Sequence, residues 1–164
     1  MNKRILAGLL AALMLIGLVA GCAKTGSDGA KTYNVGVSIY QFDDNFMTLY
    51  RNEIEAYFKT LETDQVKYKV TIQDAKNDMA TQTNQIDTFI TQKMDVIICN
   101  LVQTSSAETI IDKVVAADIP LVLINREPLG VDADGNTVDE SYPGIVDNPT
   151  VCYVGADARQ SGTY

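Results

Sequence analysis

From residue 35 to residue 154 the chain alternates short apolar runs rich in β-branched residues with longer stretches whose apolar side chains recur at three- and four-residue steps. A run such as Val96 to Cys99 offers no polar face to solvent, so a strand formed there must be covered on both sides. Helices alternating with such strands supply that cover. The arrangement they specify is α/β: a Rossmann-like open parallel sheet flanked by helices.

Strands are predicted at Val35 to Tyr40, Lys69 to Gln73, Val96 to Cys99, Leu121 to Ile124 and Val151 to Val154. The first helix is predicted over Asn45 to Leu61, with Phe46, Leu49, Tyr50, Ile54, Tyr57, Phe58 and Leu61 as one apolar stripe. The second runs from about Met79 to Gln92, buries Ile86, Phe89 and Ile90, and has Asp78 at its N-cap. Ser105-Ser106-Ala107-Glu108 has capping-box spacing and opens a third helix, whose Ile110, Ile111, Val114 and Val115 face the sheet. Asp118-Ile119-Pro120 ends it. Between Asn125 and Asn148 the periodicity disappears, and Asp132-Ala133-Asp134-Gly135-Asn136 marks a turn inside a long excursion or small hairpin. The acidic residues from Asp132 to Glu140 do not fit an EF-hand calcium loop. Taking Gly135 as the loop glycine puts Gly130 at the first ligand position, so a solvated turn is expected there.

Ahead of these elements stand Lys3 and Arg4, then an apolar run from Ile5 to Ala20 interrupted only by Gly8 and Gly17. That is the pattern of a secretory signal, and it is too short to span a bilayer comfortably. Val19-Ala20-Gly21-Cys22 resembles the lipobox of bacterial lipoproteins. The resemblance implies cleavage after residue 21 and a diacylglycerol on Cys22, anchoring the exported protein to the bacterial membrane outside the cytoplasm. An ordinary signal-peptidase site beside an incidental cysteine also suits these small residues. Residues 22–32 read as the lipidated cysteine and a flexible tether, which leaves residues 33–164 for one domain.

Losing residues 1–21 removes two of the 13 basic residues and none of the 21 acidic ones, so the remainder carries a net charge of −10. A nucleic-acid partner is therefore not expected. Cys99 and Cys152 each lie within their own candidate strand and are expected as small core residues rather than a disulfide. The chain has no His, which removes Ser–His and Cys–His nucleophile pairs and the usual zinc ligand sets.

In an open parallel sheet, ligands bind beyond the carboxyl ends of the strands. The residues placed there are Tyr40 to Phe46, Asp74 to Asp78, Asn100, Asn125 to Glu127, and Asp157. The first of these turns holds no Gly, so dinucleotide and Walker A loops are absent, and Asp43 and Asp44 oppose an anion at the first helix. What the strand ends offer is two aromatic rings, Tyr40 and Phe46, beside the short planar side chains of Asp44 and Asn100. A sugar suits that set, because its C–H face packs on a ring while its hydroxyls pair with Asp or Asn. A structural alternative stands beside each: Asp44 as an N-cap, Phe46 as the start of a core stripe, Asn100 as a turn residue.

Taken in order, the strand-end segments resemble the periplasmic galactose/glucose-binding proteins of sugar ABC transporters, within the type I periplasmic binding protein family. The resemblance lies in Val35-Gly36-Val37-Ser38-Ile39-Tyr40 running into Asp43-Asp44-Asn45-Phe46-Met47, in Asn84-Gln85-Ile86-Asp87, Ile98-Cys99-Asn100-Leu101-Val102, Asn125-Arg126-Glu127-Pro128 and Tyr153-Val154-Gly155-Ala156-Asp157. It implies the N-terminal lobe of that fold, with strand order 2-1-3-4-5. A monosaccharide would lie between two lobes, with Phe46 stacking on it, Asp44 and Asn100 bonding its hydroxyls and Tyr40 lining the site. No catalysis is implied. The partners would be the membrane permease and ATPase of an ABC transporter or, on the alternative of a sensory lipoprotein, a chemoreceptor or histidine kinase. A sugar-responsive repressor shares the fold but needs a DNA-binding segment where this chain has a signal. The family's opposing aromatic ring and structural calcium loop belong to the second lobe. The expectation is that this lobe is missing from a chain ending at the hinge, so no cofactor is expected here.

Overall fold

The computed structural model describes residues 29–131, 134, 137–141 and 148–156. Strand β1 (Lys31–Ile39) ends in five consecutive buried residues, so it needs cover on both faces and a neighbour at both edges. On one edge β2 (Val66–Asp74) pairs parallel with it from Lys31 against Val66 to Ile39 against Asp74. On the other, β3 (Val96–Cys99) pairs with Val35 to Ser38. Next to β3 lies β4 (Leu121–Ile124). The chain then makes an antiparallel hairpin of β5 (Leu129–Val131) and β6 (Thr137–Ser141) before β7 (Val151–Val154) returns beside β4. The main sheet is β2-β1-β3-β4-β7. The first four positions follow the expected order, and the last is taken by the chain's seventh strand because the hairpin precedes it.

The first two strands begin earlier than expected. Lys31 and Thr32, read as the end of the tether, are strand, because β2 is longer than its apolar run and its Val66 and Lys67 pair with them. Backbone pairing carries the ladder past the apolar residues. Tyr33 and Tyr68 stack across it with ring centroids 5.9 Å apart.

Helix α1 (Asn45–Thr60) joins β1 to β2, and its expected single stripe is divided. Met47 is buried, with Tyr50, Ile54 and Phe58 packed against the sheet, whereas Phe46, Leu49, Tyr57 and Leu61 are between 40% and 66% exposed. Positions 47, 50, 54 and 58 lie along one line at steps of three and four. Positions 46, 49 and 57 turn away to its side, where no other described element covers them.

On the opposite face α2 (Met79–Thr91) and α3 (Ala107–Ala116) form the larger core, in which Ile86, Phe89, Ile110, Ile111 and Val114 close over Ile97, Cys99, Leu121 and Leu123. Each fully buried side chain of this size contributes about 1.5–3 kcal/mol. Asp78 caps α2 as expected, accepting from the Thr81 N–H at 2.6 Å. The capping box expected at α3 is not formed. The helix is entered through a 3₁₀ turn (Thr104–Ser106) in which the Ser106 hydroxyl donates to the Gln103 carbonyl at 2.7 Å, and no side chain caps the helix amides. Asp118, at φ 57°, turns the chain out of α3 as expected. Of the two cysteines expected in the core, Cys99 is buried and Cys152 is exposed on β7, and both are free thiols. Position 152 lies on the last strand of the sheet, where no described helix covers its face.

Candidate functional site

The carboxyl ends of β1, β3 and β4 meet at Tyr40. This residue is 8% exposed and is held on several sides. Its backbone N–H donates to Asn100 Oδ1 at 3.4 Å, and its carbonyl accepts the Asn77 N–H at 2.6 Å. Its ring lies under the guanidinium of Arg126, 3.7 Å from the Cζ, a cation–π arrangement. Its hydroxyl donates to Asp44 Oδ2 at 2.6 Å.

Asp44 is an N-cap and also faces the site. One oxygen accepts the Met47 N–H at 2.8 Å, starting α1, while the other takes the Tyr40 hydroxyl. These contacts hold the carboxyl below the usual carboxylate range, the Tyr40 hydrogen bond being the larger cause and the Met47 amide the next. The same bond raises the Tyr40 hydroxyl, with burial adding to it. An ionised carboxylate has about four lone-pair positions; the Tyr40 hydroxyl and the Met47 amide take one each, the Phe46 amide also acts on the group, and acceptor capacity remains.

Phe46 sits in the first turn of α1, 58% exposed, with its ring 5.9 Å from that of Tyr50. It is an open aromatic face beside Asp44 and not part of the core. Asn100 is fully buried and bridges strands: Oδ1 accepts from Tyr40, and Nδ2 donates to the Ile124 carbonyl at 3.0 Å. A hydroxyl contact at Asn100 could use the second N–H of Nδ2 or the remaining lone pair of Oδ1, both of which are buried here. Tyr40, Asp44 and Asn100 therefore form one hydrogen-bonded set with Phe46 beside it. Cys22 and Asp157 lie outside the described residues.

Several members of this network were given no role from sequence, although Arg126 stood among the strand-end residues and Gln85 in a motif of the resemblance; Gln82 was not named. Arg126 reaches from the end of β4 and donates to the Val102 carbonyl at 2.6 Å and the Leu101 carbonyl at 3.2 Å while covering Tyr40. Gln82 is fully buried under Asn100. Its amide donates to the Asn100 carbonyl at 2.9 Å and to the Ser38 hydroxyl at 3.1 Å, and accepts the Val102 N–H at 2.8 Å. Gln85 accepts from Ser38 at 2.8 Å and donates to the Asp74 carbonyl at 2.7 Å, tying β2 into the set. The signal was present: Gln82 stands four residues before Ile86 on the apolar face of α2, and Ser38 interrupts an apolar strand. A separate groove between α1 and β2, lined by Asn52, Glu55, Phe58, Lys59, Tyr68 and Lys69, lies away from the strand ends.

Residues 35–164 match the family model described as a periplasmic binding protein domain. The chain is 42% identical over 119 residues to a putative rhizopine-binding protein of Rhizobium meliloti, covering 72% of this chain and 36% of that one. It is 30% identical over 152 residues to the D-galactose/methyl-galactoside binding periplasmic protein MglB of Haemophilus influenzae, covering 93% and 41%. A solved solute binding protein of an ABC transporter from Bacillus halodurans C-125, with bound myo-inositol, is similar at a TM-score of 0.58 and 29% identity, over 83% and 39% of the two chains. The chain spans about two fifths of the length of the curated relatives it matches.

Proposed function

We propose that this chain, which belongs to the periplasmic binding protein domain family, captures a neutral polyhydroxylated ring outside the cytoplasm, in the first place a monosaccharide of the galactose or glucose type. The observation that carries the reading is the pairing of an ionised Asp44, with acceptor capacity left, and the open ring of Phe46 two residues on. The carboxylate accepts from adjacent hydroxyls, and the ring takes the C–H face of the same molecule. An anionic ligand would meet repulsion at Asp44. The reading is one of binding, supported by the match to a binding-protein domain family, and a carboxyl held below its usual range is in addition a poor general acid near neutral pH.

The likeness to the myo-inositol-bound protein favours a second ligand within the same chemistry, a cyclitol, whose ring also carries adjacent hydroxyls. In this reading the captured molecule passes to the permease and ATPase of an ABC transporter, and a diacylglycerol on Cys22 keeps the protein at the membrane.

Calorimetry with D-galactose, D-glucose and myo-inositol, on the protein expressed from its own gene, tests the reading. At least one should bind, and Asp44→Ala should weaken it by about tenfold or more, the range for losing a charged hydrogen-bond partner. Failure of all three to bind would sink the ligand class, and unchanged affinity in the variant would sink the role of Asp44. Mass spectrometry of the mature N-terminus should show a diacylglyceryl-modified Cys22; an unmodified Cys22 would overturn the anchor.

A further inference from the structure

We infer that Tyr40 is a positioning residue of the strand-end site: it does not donate to the ligand but fixes the Asp44 carboxylate so that its remaining acceptor capacity is left for the ligand. The purpose of that carboxylate rests on the sugar-binding reading above; the contact itself does not.

A tyrosine hydroxyl has a single hydrogen, and that of Tyr40 lies 2.6 Å from Asp44 Oδ2, so no donor remains for a ligand. The residue is held by contacts on several sides. The backbone is pinned by Asn100 and Asn77, and one ring face is covered by Arg126, itself held by the Val102 carbonyl. The segments after β2, β3 and β4 thus converge on a residue that shows almost no surface. Asp44, by contrast, is anchored within its own helix, through Met47. Its carboxyl torsion is a soft sp³–sp² rotation, and the Tyr40 hydroxyl is the second point that stops it. A receptor group already held in its bound geometry loses less freedom when the ligand arrives.

The same contact acts on charge. Tyr40 from the end of β1 and Arg126 from the end of β4 are the titratable or charged side chains that favour the ionised form of Asp44. Arg126 acts more weakly.

Tyr40→Phe separates the hydroxyl from the ring, keeping the packing and the Arg126 contact. In ligand-free protein, the carboxyl carbon of Asp44 followed by NMR should titrate below the usual aspartate range, and its midpoint should rise in the variant. Whichever of D-galactose, D-glucose or myo-inositol the wild type binds should bind the variant about tenfold more weakly, as for loss of a charge-assisted bond. Acid should abolish that binding at a higher pH. An identical Asp44 titration in the two proteins would overturn the inference. If none of the three binds wild type, the functional reading fails while the titration still decides the role of Tyr40. Should the variant not fold, the Tyr40 hydroxyl proton in wild type decides: a slowly exchanging downfield resonance supports the bond, and a freely exchanging one refutes it.

Discussion

Gly36 of β1 faces the ring of Phe89 on α2 so closely that a β-carbon at position 36 would stand 2.8 Å from both the Cγ and the Cδ2 of the ring. Phe89 is fully buried and cannot swing outward without opening the larger core. Gly36→Ala is therefore expected to cost about 1–3 kcal/mol, the usual range for overpacking. Thermal unfolding followed by circular dichroism should show a lower Tm, partly restored in Gly36→Ala/Phe89→Leu. An unchanged Tm in the single variant would show that α2 shifts freely.

Gln82 satisfies three buried groups at once, the Val102 N–H, the Asn100 carbonyl and the Ser38 hydroxyl. Gln82→Leu keeps the volume but leaves an amide and a carbonyl without partners, at about 1–3 kcal/mol each. Urea unfolding should show a midpoint well below wild type. Because Asn100 and Tyr40 rest on this network, ligand affinity should fall too.

Asp44, Asp78 and Glu62 all have carboxyls held below their usual values. Asp44 owes this first to the Tyr40 hydroxyl, Asp78 to the Thr81 side chain and Glu62 to the Tyr68 amide. The unfolded chain binds protons at these groups before the folded one does, so their contribution is complete above about pH 4–5 and is lost as pH falls through the lower folded values. Stability measured by denaturant titration should be level from neutral pH down to that window and decline below it. In Asp78→Asn the acid decline should be shallower.

The two described thiols should behave oppositely. With Cys22 replaced by Ser, Cys152 should react with Ellman's reagent in the native protein. Cys99, buried and with its thiol pushed up to about 12, should react only after denaturant is added. Two fast thiols under native conditions would contradict the packing of β3.

Tyr40, Asp44 and Asn100, which the sequence placed at strand ends, meet there in one hydrogen-bonded set, because strands and turns are specified by local patterns of apolar and polar residues. Less legible was how each would be used. Phe46 and Met47 are both apolar and adjacent, yet one is open to solvent and the other is buried under the helix. That choice depends on the rotation of α1 against the sheet.

By itself the sequence determined the alternation of strands and helices, the open parallel sheet class it requires, the N-cap at Asp78, and the placing of Tyr40, Asp44, Phe46 and Asn100 after their strands. The N-cap rests on contacts a few residues in range, and the rest on the apolar pattern within each segment. That Asp44 both caps α1 and faces the site was left to the structure. The tertiary structure alone decided that Asn100 would be buried holding Tyr40, 60 positions earlier, and that Gln82 would lie beneath it, because those contacts exist only once the strands are paired. The coupling of Tyr40 to Asp44 is of both kinds. The four-residue spacing is local, but the ring that makes it firm is held by Arg126 from the far end of β4.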